Sequence, residues 1–174
     1  MLIYLNRTGF NGLFRLNAAG GFNVPAGQYQ KPRICDGDNI RAFASALSQR
    51  GISLTCVTFD RVLAEARAGD FSYFDPPYAP LSRTAQFTSY TAGGFGHADQ
   101  RRLQAVIVEL ARRGCHVLLS NSTAPEISQL YERNDAAKTA GLRCYRVPAR
   151  RAINSNAARR GPVTEFLITN IPRR

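Results

Sequence analysis

From residue 38 onward, short apolar runs alternate with stretches whose apolar residues recur every three or four positions, and this alternation leaves few folds open to the chain. Asp38 can cap a helix carrying Ile40, Phe43, Ala44 and Leu47, with Gly51 as its stop. Residues 52–57 (Ile-Ser-Leu-Thr-Cys-Val) read as a strand, residues 61–67 as a short helix ended by Gly69, and residues 71–74 as a second short strand. The spacing of Leu103, Val106, Ile107, Leu110 and Ala111 predicts an amphipathic helix over 98–113, stopped by Gly114. Residues 115–120 read as a buried strand, and Thr123-Ala124-Pro125-Glu126 fits a capping box that opens another helix. Residues 143–149 and 165–169 give two further strands around a basic loop. Such alternation argues for an α/β layered sheet, parallel in its middle, which the two terminal strands could close as an antiparallel hairpin.

The first 35 residues do not share this pattern. They hold Gly9, Gly12, Gly20, Gly21, Gly27, Pro25 and Pro32, interleaved with Tyr4, Phe10, Phe14, Phe22 and Tyr29. Turn-forming residues with aromatics between them suggest an irregular module with a hairpin near residues 18–22. A segment this short cannot build a core alone. The expected division is therefore a module over 1–35 and a layered domain over 36–174.

Charge narrows the partners. The formal net charge is +11 over 174 residues, and 21 of the 23 basic residues are arginines, because only Lys31 and Lys138 are lysines. Arginine makes forked contacts to phosphate and guanine and stacks on bases, so a polyanion, nucleic acid first, fits this excess. A solvated surface from Arg-rich coding would read the same way. No run approaches the roughly 18 apolar residues that span a bilayer, no basic amphipathic helix suits a membrane surface, and the N-terminus turns polar at once, so the expected location is the cytoplasm. Cys35, Cys56, Cys115 and Cys144 are scattered, with no C-x-x-C pair, and read as reduced, mostly buried small hydrophobes. His97 and His116 read as structural or surface residues, and no metal site is expected.

The chemistry centres on Asp75-Pro76-Pro77-Tyr78, at the carboxyl end of a predicted strand, the edge where open α/β sheets bind ligands. An adenine amino group is a poor nucleophile because its lone pair is delocalised into the ring. A carboxylate from Asp75 and the carbonyl of Pro76, accepting its two N–H bonds, would draw that pair out of conjugation. Pro76 and Pro77 stiffen the turn, so the acceptors stand in place beforehand. Tyr78 would stack on a base turned out of the duplex. A strand ending in a proline-rigid turn with a surface carboxylate is the plainer reading of the same four letters.

Context selects between them. The chain continues with Ala79-Pro80-Leu81-Ser82, Phe87-Thr88-Ser89-Tyr90 and Leu118-Leu119-Ser120-Asn121. It opens with Leu5-Asn6-Arg7, Phe10-Asn11-Gly12-Leu13, Arg15 and Phe22-Asn23-Val24-Pro25, and it later carries Arg150-Arg151-Ala152-Ile153-Asn154-Ser155-Asn156. Taken in order, these segments resemble the Dam-type DNA adenine methyltransferases, the D12 or alpha class, over essentially all 174 residues. The resemblance implies a Rossmann-like sheet, S-adenosylmethionine as methyl donor and double-stranded DNA as partner, with Asp75, Pro76, Pro77 and Tyr78 as the catalytic residues. It makes Phe10 a wedge in the base stack with Asn11 beside it, Arg15 a reader of guanine O6 and N7, and Leu13 and Pro25 contacts to thymine methyls, a pattern that suits GATC. Arg150, Arg151, Asn154 and Asn156, with Arg159 and Arg160, would meet the DNA backbone. Phe59 falls where the family places an aromatic near the cofactor's adenine, and Asp75 borders that site. Asp75 and Tyr78 together favour adenine over the glutamine amide or cytosine amino groups that other relatives methylate.

One departure stands out. Relatives begin well upstream of the Leu-Asn-Arg segment with a glycine loop that cradles the cofactor; Gly93-Gly94-Phe95-Gly96 follows the catalytic strand and reads as a substrate-side loop instead. The resemblance thus implies a sheet lacking its N-terminal strands beside a small recognition module. Three readings stay open: a portion of a longer enzyme, half of a split enzyme completed by a separate chain, or a non-catalytic DNA-binding remnant.

Overall fold

The computed structural model describes residues 1–81, 95–150 and 162–172 of the chain. These form two compact units, Met1–Cys56 and Val57–Arg174.

In the first unit, helix α1 (Leu2–Thr8) leads into a 3-10 turn (Phe10–Gly12). Asn11 and Gly12 both take left-handed backbone angles there (φ 52° and 63°), which Asn and Gly tolerate better than other residues. The expected hairpin is present: Leu16 bridges Phe22, and Asn17 closes the turn by accepting from the Ala19 and Gly21 N–H groups. A second bridge joins Gly9 to Ala26, and Phe10 N–H donates to the Pro25 carbonyl at 2.8 Å. Helix α2 (Gly37–Leu47) follows. Its N-cap is Asp36, whose side chain accepts from Asn39 N–H, whereas Asp38, expected as the cap, sits inside the first turn and pairs with Arg41. Among residues 1–56 only Gly9 is buried, so hydrogen bonds at turns hold this unit more than a packed interior does.

The second unit carries the sheet. A 3-10 turn (Phe59–Arg61) runs into α3 (Val62–Glu65), then β1 (Phe71–Phe74), α4 (His97–Arg112) and β2 (His116–Ser122). Short helices α5 (Pro125–Ile127) and α6 (Asp135–Thr139) flank a π-type turn (Ser128–Glu132), and β3 (Arg143–Arg150) and β4 (Pro162–Thr169) end the described sheet. Strand order is β1-β2-β4-β3. β1 runs parallel to β2, and β4 is antiparallel to both β2 and β3, so the sheet is mixed, with the parallel pair at one side rather than in the middle. The expected terminal hairpin is the β3–β4 pair.

The α4 stripe reads as its spacing implies. Leu103, Val106, Ile107, Leu110 and Ala111 are buried in one core with Val117 and Leu119 of β2 and Phe166 and Ile168 of β4. Gly114, at φ 83°, turns the chain from α4 into β2, and a side chain there would both strain the backbone and crowd Ala68.

Three local expectations fail. Residues 52–57 take no ladder partner among the described residues, and Ile52, Leu54 and Val57 are exposed. β-branched residues favour a strand only when a neighbour is there to pair with, and none lies among the described residues. The capping box at Thr123 does not form: Ala124 is the N-cap with Pro125 behind it, while the Thr123 hydroxyl donates to the Thr164 carbonyl. Pro125 has no N–H to cap, and β4 offers Thr123 a better acceptor. Of the four cysteines, Cys115 is buried and Cys144 half-buried, but Cys35 and Cys56 are exposed because the first unit has no interior to receive them.

Candidate active site and recognition hairpin

Parallel pairing fixes the site. Phe71 to Phe74 of β1 align with His116 to Leu119 of β2, so the next residues, Asp75 and Ser120, emerge side by side at the carboxyl ends of the two strands. The Ser120 hydroxyl donates to Asp75 Oδ1 at 2.8 Å. Its one proton is thereby used, so the Tyr73 phenol, 3.1 Å from Ser120 Oγ, is the donor in that contact. The result is a directed chain, Tyr73 to Ser120 to Asp75, which holds Oδ1 and leaves Oδ2 without a hydrogen bond among the described residues.

The turn after Asp75 is clamped from beneath by buried amides. Gln100 Nε2 donates to the Pro77 carbonyl at 3.0 Å, and Gln100 Oε1 accepts from Asn121 Nδ2 at 3.2 Å. Asn121 Oδ1 accepts from Ala79 N–H at 3.0 Å and from Ser122 N–H at 2.8 Å, and the Ser122 hydroxyl donates to the Ala79 carbonyl at 2.6 Å. Gln100, Asn121 and Ser122 are all buried, where such bonds matter most because no water can replace them. The Pro77 carbonyl is therefore taken. The Pro76 carbonyl accepts no hydrogen bond among the described residues.

Tyr78 leaves the turn in another direction, and its phenol donates to Glu165 Oε2 of β4 at 3.2 Å. Burial pushes this phenol above its usual range, and the Glu165 and Asp75 carboxylates push the same way. The ring is thus a neutral donor tied at its far end.

Asp75, Pro76 and Pro77 line a cleft of about 470 Å³ together with Phe59, Phe95, Asp99 and Arg102. Phe59 meets Phe95 edge-on, with centroids 5.8 Å apart, and the Arg102 guanidinium lies 4.9 Å above its ring. Arg102 is held in turn by Asp60 and Asp99, each at 3.4 Å. Hydrogen bonds from the Thr58 hydroxyl and the backbone, with Arg102, keep the Asp60 carboxyl below its ordinary range. Among the described residues the cleft thus combines aromatic rings, the Asp75 and Asp99 carboxylates and the Arg102 guanidinium. Among the described residues no cluster of metal-ligating side chains occurs, and no helix is long and apolar enough to cross a membrane.

The residues expected to read DNA lie in the first unit. Phe10 and Pro25 are joined through their backbones, and Phe10, Arg15 and Pro25 are exposed, with Asn11 and Leu13 half-buried. Arg15 reaches across the hairpin to Asn23: Nε donates to Asn23 Oδ1 at 2.8 Å and Nη2 to the Asn23 carbonyl at 2.9 Å. Arg150 pairs through its backbone with Pro162, while Arg151, Asn154, Asn156, Arg159, Arg160 and the Gly93-Gly94 pair lie outside the described residues. Ser120, Asn121, Ser122, Gln100 and Glu165 were given no role by sequence reasoning. Two signals could have found the first four, Ser-Asn-Ser ending an otherwise apolar strand and Gln100 in helical phase with Leu103, Ile107 and Leu110, whereas nothing local marks Glu165.

Residues 1–151 match the family model of the D12 class N6 adenine-specific DNA methyltransferases. The chain is 40% identical over 171 residues to a DNA adenine methylase of Vibrio cholerae, covering 98% of the chain and 58% of that relative. It is 38% identical over 169 residues to a type II methyltransferase of Lactococcus lactis subsp. cremoris, at 97% of the chain and 57% of the relative. With the DNA adenine methylase of Escherichia coli (strain K12) it shares 35% over 167 residues, at 96% and 56%. The chain thus spans somewhat over half the length of the curated relatives it matches.

Proposed function

The chain belongs to the D12 class N6 adenine-specific DNA methyltransferase family, and on that premise we propose that it binds duplex DNA through residues 1–35 and presents a flipped adenine to Asp75 for methylation at N6, with GATC as its target sequence. The observation that carries this reading is the pre-set pair of acceptors: Asp75, fixed at Oδ1 by Ser120, and the Pro76 carbonyl, which accepts no hydrogen bond among the described residues, on a turn clamped by Gln100 and Asn121. Two acceptors on a rigid turn can take both N–H bonds of an adenine amino group and return its lone pair to nitrogen without any motion of the protein. Tyr78, tethered by Glu165, offers a ring face for stacking on the extruded base.

The cleft beside Asp75 suits S-adenosylmethionine. Phe59 and Phe95 present aromatic surface to an adenine ring, with Arg102 already covering part of Phe59, and Asp75 and Asp99 present carboxylates to cationic groups. Bound there, the donor supplies an electrophilic methyl group. Phe10 and Asn11 fill the space of the flipped base, Arg15 reads guanine, and Leu13 and Pro25 meet thymine methyls. Arg150, Arg151, Asn154 and Asn156 contact the backbone, in keeping with the +11 net charge.

The test is incubation of the purified chain with methyl-labelled S-adenosylmethionine and GATC duplex, against a GATC-free duplex. Label on adenine in the GATC duplex alone supports the proposal. No label with GATC-selective binding retained restricts the chain to recognition, with catalysis requiring a further segment or a separate chain. Neither label nor selective binding refutes it.

A further inference from the structure

Arg15 and Asn23 are joined by three hydrogen bonds across the recognition hairpin. The Asn23 N–H donates to the Arg15 carbonyl at 3.1 Å, and the Arg15 side chain returns two bonds, Nε to Asn23 Oδ1 and Nη2 to the Asn23 carbonyl. A guanidinium has two faces that can grip a pair of acceptors: the side edge formed by Nε and Nη2, and the end edge formed by Nη1 and Nη2. Asn23 occupies the side edge. What remains to grip a pair of acceptors is the end edge, with one proton on each terminal nitrogen.

From this we infer that Asn23 is a specificity-determining positioning residue, which holds the Arg15 guanidinium so that only its end edge is free to take guanine O6 and N7. The inference rests on the proposed reading of Arg15 as a base reader and adds the reason it would discriminate. An exposed arginine on a flexible stem finds phosphate oxygens as readily as base edges, because both accept two N–H bonds. Locking its plane beforehand removes most of that choice. It also lowers the ordering cost of binding, because rotamers lost on complex formation are already lost in the free protein. The hairpin supplies the rigidity: the Asn17 turn and the Leu16–Phe22 bridge set the register that brings residue 23 opposite residue 15. Phe14 and Phe22, with ring centroids 5.9 Å apart, pack against each other on that scaffold.

The test uses the full chain and two GATC duplexes, one natural and one with 7-deazaguanine in place of guanine, which deletes the N7 acceptor and nothing else in the groove. Wild-type protein should prefer the natural duplex by about tenfold, the worth of one of two bonds to the base. Asn23→Leu, which keeps the branched shape but loses the Oδ1 acceptor, should reduce that preference to about twofold or less. Asn23→Asp, which keeps an acceptor in the same place, should retain the preference even as added negative charge weakens binding to both duplexes. A wild-type preference persisting in Asn23→Leu overturns the inference and leaves the reading of Arg15 standing. So does an equal loss of affinity for both duplexes, which would make Asn23 a phosphate contact. A wild-type protein indifferent to the replacement, with Arg15→Ala weakening both duplexes alike, overturns the reading of Arg15 and the inference together.

Discussion

Asn121→Leu should destabilise the protein severely, and the structure gives the size of the effect. Leucine keeps the branching and the number of side-chain heavy atoms, so no cavity is left, and its bulkier methyl groups can only add to the loss. It removes three hydrogen bonds: those from Ala79 N–H and Ser122 N–H, and the one to Gln100 Oε1. At least two buried groups, Ala79 N–H and Gln100 Oε1, then have no partner. Orphaned buried groups cost about 1–3 kcal/mol each, which puts the loss near 4 kcal/mol against a typical total of about 5–15 kcal/mol. The chain has no tryptophan, so far-UV circular dichroism in urea is the assay. At a typical slope of about 2 kcal/mol per M the midpoint should fall by roughly 2 M with the slope unchanged. The double variant Gln100→Leu/Asn121→Leu sharpens the test. Gln100→Leu alone orphans the buried Asn121 Nδ2, while water can serve the carbonyl of the exposed Pro77, so the two single variants strand three buried groups between them, whereas the double strands one. It should therefore cost about 2 kcal/mol rather than about 6. A loss within about 0.5 kcal/mol for Asn121→Leu, or strict additivity in the double, would refute the view that this amide network holds the Asp-Pro-Pro-Tyr turn.

Asp75→Ala should abolish methyl transfer while leaving DNA affinity within about twofold, read by label incorporation and gel shift; wild-type turnover in the variant would sink the catalytic assignment. Arg15→Ala should relax discrimination at one base pair by about 1–3 kcal/mol, measured as the ratio of binding to cognate and substituted duplexes. DNA affinity should fall linearly on a log–log plot against salt, and a flat response would remove the electrostatic argument. Burial, followed by the nearby Glu132 carboxylate, pushes the Cys144 thiol from 9.0 up to about 11. Because the folded state favours the neutral thiol, the stability it contributes is whole below pH 9.0 and is lost as pH rises through about 11, so urea midpoints should drop across that window and drop less in Cys144→Ala. At pH 8, Cys35 and Cys56 should react quickly with a thiol reagent and Cys115 and Cys144 only on unfolding.

Elements whose burial is decided by a single local pattern were legible in the sequence. The stripe from Leu103 to Ala111 placed α4, and glycine at 114 its end, because helix periodicity and left-handed backbone are properties of a few neighbouring residues. The Asp-Pro-Pro-Tyr turn was readable for the same reason, since proline fixes its own φ and withholds its own N–H. The segment at 52–57 was misread because strand propensity says nothing about whether a partner strand lies beside it. Thr123 was misread because an acceptor forty-one residues away, on β4, outcompeted the local cap.

The sequence by itself therefore determined the α/β character, the excess of basic residues, the order of the family's motifs and the place of the carboxylate proposed to react. Tertiary structure alone decided what makes that carboxylate usable. Parallel register set Ser120 beside Asp75, Gln100 of α4 beneath Pro77, and Asn121 against Ala79, while β4 carried Glu165 to Tyr78. Across the hairpin it set Asn23 against Arg15. The physical reason is common to all of these. A hydrogen bond between residues tens of positions apart depends on strand register and burial, which are settled only when the whole sheet or hairpin has formed, whereas charge, periodicity and turn chemistry act over a handful of residues along the chain.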